Sequence, residues 1–269
     1  TTLCYYTIML EISHLVVIGC SFSYGDGLAN PKEDSWSAIL SKKLGVPVVN
    51  LSSRGGGNDR IMRRLFEYHY LNSSKNNNPF YILAFSHSSR REEFIKTAND
   101  YMVGHSIIST GDYMVVSMKN DPGLMKREPF SAPSVLNYDP FISARKKLMV
   151  RSYIQDFLAL HNINYLTTDF MPDTEDELQS LHELYPDAYE RIYSDKFRLR
   201  DLREFSIKHP RLPCGHDDVE AQLEIGNYVY DELIARYEEP VTKLQDFTTL
   251  RQYIDHYSTV GAGGDIDWL

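Results

Sequence analysis

Two residues in this chain have the side chains of nucleophilic catalysis and stand where a fold would expose them. Ser21 follows His14-Leu-Val-Val-Ile-Gly19, a short β-branched run closed by glycine. It therefore sits where a buried strand turns sharply into a loop, with its hydroxyl among backbone N–H groups. His216 ends Leu212-Pro-Cys-Gly-His216, a loop that leads directly into a helix. A serine nucleophile needs a base within hydrogen-bond reach and donors for the oxyanion it creates. An imidazole titrates near neutrality and suits the part of base.

The elements that must bring these two together can be read from periodicity and caps. Ser35 caps a helix whose Trp36, Ile39, Leu40 and Leu44 share one face, and Gly45 ends it. Val46 to Leu51 is a second strand, with Pro47 near its start where proline is tolerated. A glycine-rich loop follows. Asn58 then caps a helix with Ile61, Met62, Leu65 and Phe66 as its apolar stripe. Phe80 to Phe85 reads as a third strand, Pro140 to His161 as a helix, Ile163 to Thr168 as a fourth strand, and Asp218 to Arg236 as the last core helix.

Between these lie less regular stretches. Residues 95–140 hold short alternating pieces such as Tyr113 to Met118 and read as an insertion with a hairpin. Residues 173–190 carry seven acidic side chains and no Lys or Arg, and the stretch Arg191 to Arg211 is basic. Together, 173–211 read either as a helical cap over the core or as two solvated helix faces of opposite charge. The expected organisation is an α/β domain over 9–236 and a C-terminal helical extension and tail over 237–269, with a helix at 240–260.

Alternation of strand and helix implies a parallel sheet covered on both sides: a three-layer α/β/α sandwich with a flavodoxin-like sheet. Ligands of such sheets bind at the carboxyl ends of the strands. That rule gathers Ser21, then Gly55, Gly56, Gly57 and Asn58, then Ser86, His87, Ser88 and Arg90, and finally His216, at one edge. Arg54, Arg90 and Arg91 lie on the same loops and could hold a phosphate or carboxylate; Tyr24 joins Arg54 and Arg90 as a substrate contact. Asp26-Gly27 lacks the Gly-Lys-Ser/Thr of a phosphate-binding loop.

Gly19-Cys-Ser21 resembles the Gly-Asp-Ser block of the SGNH (GDSL-like) hydrolases, and Gly-Cys-Ser-Phe-Ser-Tyr-Gly25 is similar to members common in bacteria and their phages. Asn50-Leu-Ser-Ser-Arg-Gly55 resembles the family's second block. Phe85-Ser-His-Ser88 occupies the place of the third, and His216 before Asp-Asp-Val-Glu-Ala resembles the fifth. The resemblance implies Ser21 as nucleophile, His216 as base, and the N–H groups of Ser21 and Gly55 as oxyanion donors, helped by His87 or Asn58. Three positions depart from the pattern: Cys20 replaces an aspartate, His87 an asparagine, and Pro213 the acid three residues before the histidine. A backbone carbonyl near Pro213, or Asp217, would then have to orient His216.

The activity implied is a serine esterase or deacylase acting on a small-molecule or glycan ester, with no metal or organic cofactor. A non-catalytic binding module on the same scaffold and an acyltransferase are the alternatives. Composition agrees. A net charge of -9 over 269 residues argues against nucleic-acid binding. Cys4, Cys20 and Cys214 are too few and too scattered for a disulfide framework or a zinc site. No run has the apolar length of a membrane span. The N-terminal stretch has no basic start and carries Glu11 and His14, unlike a signal peptide, so a cytoplasmic location in a bacterium or phage-infected host is expected. Assembly into a homo-oligomer stays open.

Overall fold

The computed structural model describes residues 12–72, 78–94, 102–103, 106–107, 113–117 and 139–238. Its first half runs β1 (His14–Ile18), α1 (Ser21–Tyr24), α2 (Pro31–Asp34), α3 (Trp36–Leu44), β2 (Val48–Asn50), α4 (Asn58–Asn72) and β3 (Pro79–Phe85). Short strands follow: β4 (Arg90–Phe94), β5 (Met102–Val103), β6 (Ser106–Ile107) and β7 (Tyr113–Ser117). The second half is α5 (Pro140–Leu160), β8 (Tyr165–Asp169), α6 (Glu175–Leu184), α7 (Pro186–Tyr193), α8 (Arg203–Ser206) and α9 (Val219–Glu238).

The main sheet has the order β2-β1-β3-β8, and every neighbouring pair is parallel. β1 is buried along its whole length, so its alternation serves two faces rather than one. Leu15 and Val17 meet Trp36 and Leu40 of α3 and Ile225, Val229 and Leu233 of α9. Val16 and Ile18 meet Ile61 and Leu65 of α4 and Ile154 and Leu158 of α5. Each such side chain contributes about 1.5–3 kcal/mol when fully buried, and this drives the three layers together. The result is the α/β sandwich with a parallel sheet that the alternation of elements predicts.

Local signals set several boundaries. The Ser35 hydroxyl accepts from the N–H of Ala38, and Gly45 closes α3 with φ 69°. Asp139 accepts from Ile142 N at 2.9 Å and starts α5. Thr174 and Glu177 form a capping box on α6. α6 and α7 pack on α5 through Ala144, Leu148, Leu181 and Ile192.

Three expectations need correction. The segment after Ser21 is not a plain loop, since it holds α1 and α2. Asn58 is the first residue of its helix rather than the cap; Ile61 N donates to Gly57 O at 3.2 Å. The basic stretch is helical only to Tyr193 and again at α8. Between them residues 197–199 run beside β8: Thr167 N donates to Phe197 O at 3.0 Å, and Leu199 N to Thr167 O at 2.7 Å. The edge of a parallel sheet takes this backbone away from a helix.

β4 and β7 pair antiparallel, as do β5 and β6. Most of the expected insertion, and the expected helix at 240–260 with its tail, lie outside the described residues. No described helix is long and apolar enough to cross a membrane.

A buried charge network sits at the carboxyl end of β8. Lys147 Nζ lies 2.9 Å from Asp169 and 3.1 Å from Asp173. Arg151 Nη1 lies 2.7 Å from Asp169, and Arg198 reaches both Asp169 at 3.3 Å and Asp201 at 2.6 Å. The Arg151 guanidinium also lies over the rings of Phe85 and Tyr193. The cations hold the Asp169 carboxyl well below the usual carboxylate range despite its burial. Burial and the neighbouring Asp169 push Asp201 up to about 6.

Candidate active site

Three loops lock together at the carboxyl edge of the sheet. Asn50, the last residue of β2, donates to Ser23 O at 2.8 Å and to Ser37 Oγ at 3.1 Å, which ties the turn after β1 to the second strand. Gly56 lies flat against that turn: a Cβ there would come 2.9 Å from Gly19 O and 3.5 Å from Cys20 Cα. Gly57 presses on the third loop, where a Cβ would meet Arg90 O at 2.7 Å. Asn58 clasps Ser86, accepting from its N–H at 2.9 Å and donating to its carbonyl at 3.0 Å.

The fourth loop closes on the first. Leu212 N donates to His216 O, Gly215 N donates to Leu212 O, and Gly215 has φ 82°, so residues 212–216 form a tight turn. This turn seats against Gly27, where a Cβ would meet Cys214 Sγ at 2.5 Å. The His216 ring packs on Phe22, the residue after Ser21, with centroids 4.9 Å apart. Gln222 of α9 strengthens the junction: it accepts from Trp36 N at 2.8 Å and donates to Phe22 O at 3.4 Å. The sheet therefore brings Ser21, the glycines, Ser86 to Arg90 and His216 to one edge. No hydrogen bond joins the Ser21 hydroxyl to the His216 ring. Such bonds are often long before substrate closes over a site.

The electrostatics centre on His216. Burial pushes its pKa below the ordinary 6.5; Asp26 and Asp217 pull it back up, and Arg90 and Arg54 push it down. Asp26 Oδ2 lies 3.8 Å from His216 Nε2, and Asp26 Oδ1 lies 2.7 Å from Arg54 Nε. Arg54 also lies over the ring of Tyr24 at 5.8 Å. Arg90 Nη1 donates to Ser86 Oγ at 3.3 Å. His87 Nδ1 accepts from Ser89 N at 3.0 Å, so its neutral ring carries the proton on Nε2.

Several expected roles do not fit this geometry. Asp217 makes no hydrogen bond to the His216 ring among the described residues; it is buried and accepts from Ser206 Oγ at 2.5 Å and from Gln222 Nε2 at 3.3 Å. No carbonyl near Pro213 does so either, because the buried His216 Nδ1 has no hydrogen-bond partner. Asn58 is a poor oxyanion donor, since its amide is spent on Ser86 and, weakly at 3.5 Å, on His87 O. The Arg91 side chain lies outside the described residues. Gly55 does take the left-handed conformation a turn glycine is needed for, with φ 68°.

Sequence reading placed Gly56 at this edge without a role and missed Asp26. Gly56, not Gly55, makes the close approach to the Ser21 turn, and a run of three glycines gives no sign of which one is pressed. Asp26 reads in the sequence only as part of a rejected phosphate-binding loop, and only the fold shows that it lies beside a histidine.

Among protein-family models none matches the chain, and no curated protein matches it in sequence. Solved structures do. The psychrotrophic esterase EstA from a Pseudoalteromonas species, determined inhibited by monoethylphosphonate, superposes with TM-score 0.52 at 10% identity, over 84% of this chain and 100% of the esterase. A protein assigned to the lipolytic G-D-S-L family, from Desulfitobacterium hafniense DCB-2, gives TM-score 0.46 at 13% identity, over 82% and 99%. A lipase from a goat rumen metagenome gives 0.46 at 9% identity, over 81% and 96%. At 10% identity the likeness to the esterase is one of architecture: the chain, with its parallel sheet covered by helices, has the α/β fold of that esterase.

Proposed function

We propose that the chain is a serine ester hydrolase that removes an acyl group from a carbohydrate-like or other small ester, with Ser21 as nucleophile and His216 as base. The observation that carries this reading is the packing of the His216 ring on Phe22, one residue from Ser21, at the edge where Gly56 abuts the same turn. The Gly55 N–H supports an oxyanion role, having no hydrogen-bond acceptor among the described residues. His87, on the loop after β3, is the second donor of this reading.

In the reaction, Ser21 Oγ bonds to the acyl carbon as its proton passes to His216. The negative charge moves to the carbonyl oxygen, where the N–H groups of Ser21 and Gly55 and the His87 ring meet it. The ester bond then breaks, and the leaving alkoxide takes the proton from His216. Water repeats the sequence in the second half: His216 removes its proton, the Ser21 ester is cleaved, and the acid leaves. Arg54, Arg90 and Tyr24 form the rim that contacts the alcohol part of the substrate.

A fluorophosphonate probe tests the reading, the EstA precedent being a phosphonate-inhibited enzyme. Labelling of the native chain that is lost in Ser21→Ala and strongly slowed in His216→Ala is expected. Labelling that survives Ser21→Ala would rule out the nucleophile. A folded native chain that takes no label would favour a binding module on this scaffold.

A further inference from the structure

The nucleophile–base reading leaves His216 with no carboxylate from its own loop, and the present inference rests on that reading only for its catalytic consequence. We propose that Asp26, on the turn that follows α1, is the carboxylate partner of His216: a positioning residue whose charge faces the Nε2 side of the ring and balances the imidazolium.

Four contacts support this placement. Asp26 Oδ2 lies 3.8 Å from His216 Nε2. The other carboxylate oxygen is held at 2.7 Å by Arg54 Nε, so the group is not free to swing away. Asp26 N donates to Ser21 O at 3.0 Å, which fixes the acid to the nucleophile's own residue. Gly27, with φ 87°, lies against Cys214 and Leu212, which fixes it to the histidine loop. The side chains of Asp26 and His216 are only 16% and 19% exposed, so solvent screens the pair weakly.

The arrangement has a direct chemical consequence. A carboxylate 3.8 Å from Nε2 favours the imidazolium that forms when His216 takes the Ser21 proton. No proton passes to Asp26. The charged groups around the ring are Asp26 and Asp217 on one side of the balance and Arg54 and Arg90 on the other. Arg54 has two effects: it fixes Asp26 and it tempers its charge.

The test is an NMR titration of His216 in the native chain, in Asp26→Asn and in Arg54→Ala, with the pH profile of ester hydrolysis or probe labelling measured on the same samples. Asp26→Asn should lower the His216 pKa by about half a unit to one unit, and Arg54→Ala should raise it. Misfolding would not move the two variants in opposite directions. Asp26→Asn should also slow turnover about 10- to 100-fold with KM little changed. A His216 pKa that is unmoved or raised in Asp26→Asn overturns the proposal whatever the activity. The expected pair of shifts in a chain that takes no probe would sink the hydrolase reading and leave the Asp26 contact standing.

Discussion

Gly56 and Gly19 meet backbone to backbone: a methyl group on Gly56 would come 2.9 Å from the Gly19 carbonyl oxygen, beside the turn that presents Ser21. A substitution there has to move that turn. Gly56→Ala is expected to slow fluorophosphonate labelling about 10- to 100-fold, because sub-ångström placement errors at a nucleophile are costly. Gly55→Ala should lose about 1 kcal/mol of stability through its positive φ and slow labelling much less. Labelling rates and urea denaturation on both variants check the contrast.

The Asn58–Ser86 clasp predicts a stability effect. Both residues are buried, and the amide satisfies the N–H and the carbonyl of Ser86 at once. Asn58→Ala leaves two buried backbone groups unpaired and should cost about 2–4 kcal/mol, read from the urea midpoint. Asn58→Asp should also destabilise, because a carboxylate cannot donate to the Ser86 carbonyl.

These cases show how much the sequence discloses. Ser35 and Gly45 mark the ends of α3 because their partners lie within four residues, and the β-branched run of β1 needs no partner to be recognised. The convergence of Ser21, the glycine loop, His87 and His216 follows from the parallel order of the strands. What the sequence hides depends on pairing at long range. Asn58 looks like a helix cap until Ser86, 28 positions on, takes its amide. Asp217 looks like the partner of the adjacent His216, yet Ser206 and Gln222 claim it. Residues 197–199 are too short a run to carry a strand pattern, and only the edge of β8 gives their backbone a partner.

The acid limb of catalysis should reflect the buried state of His216. Burial favours the neutral ring, so the folded pKa lies below the ordinary 6.5. The base is unprotonated, and therefore active, above that lowered value. The kcat/KM profile should accordingly stay high as pH falls through 6.5 and decline only below it. A limb centred above 6.5 would contradict the balance of charges around the ring.

Lys147 offers a separate check on the frame. Its ammonium lies between Asp169 and Asp173, all three buried. Lys147→Met should cost about 3–5 kcal/mol at pH 7, the usual result of stranding a buried charge. The sign with pH is fixed by Asp169, whose folded pKa is depressed. Its stabilisation is fully present above the ordinary 3.8 and is lost as pH falls through the folded value. Equilibrium unfolding should therefore show the penalty of Lys147→Met shrinking as pH drops below about 4.

The charges of this protein fall into two populations with different responses to dissolved ions. The Lys147–Asp169–Arg151 set is sealed from solvent, whereas the Arg54 member of the Arg54–Asp26 pair is half exposed. Added salt leaves the sealed set nearly untouched and weakens the exposed pair. Ionic strength can thus retune the histidine while the architecture that holds it keeps its melting point.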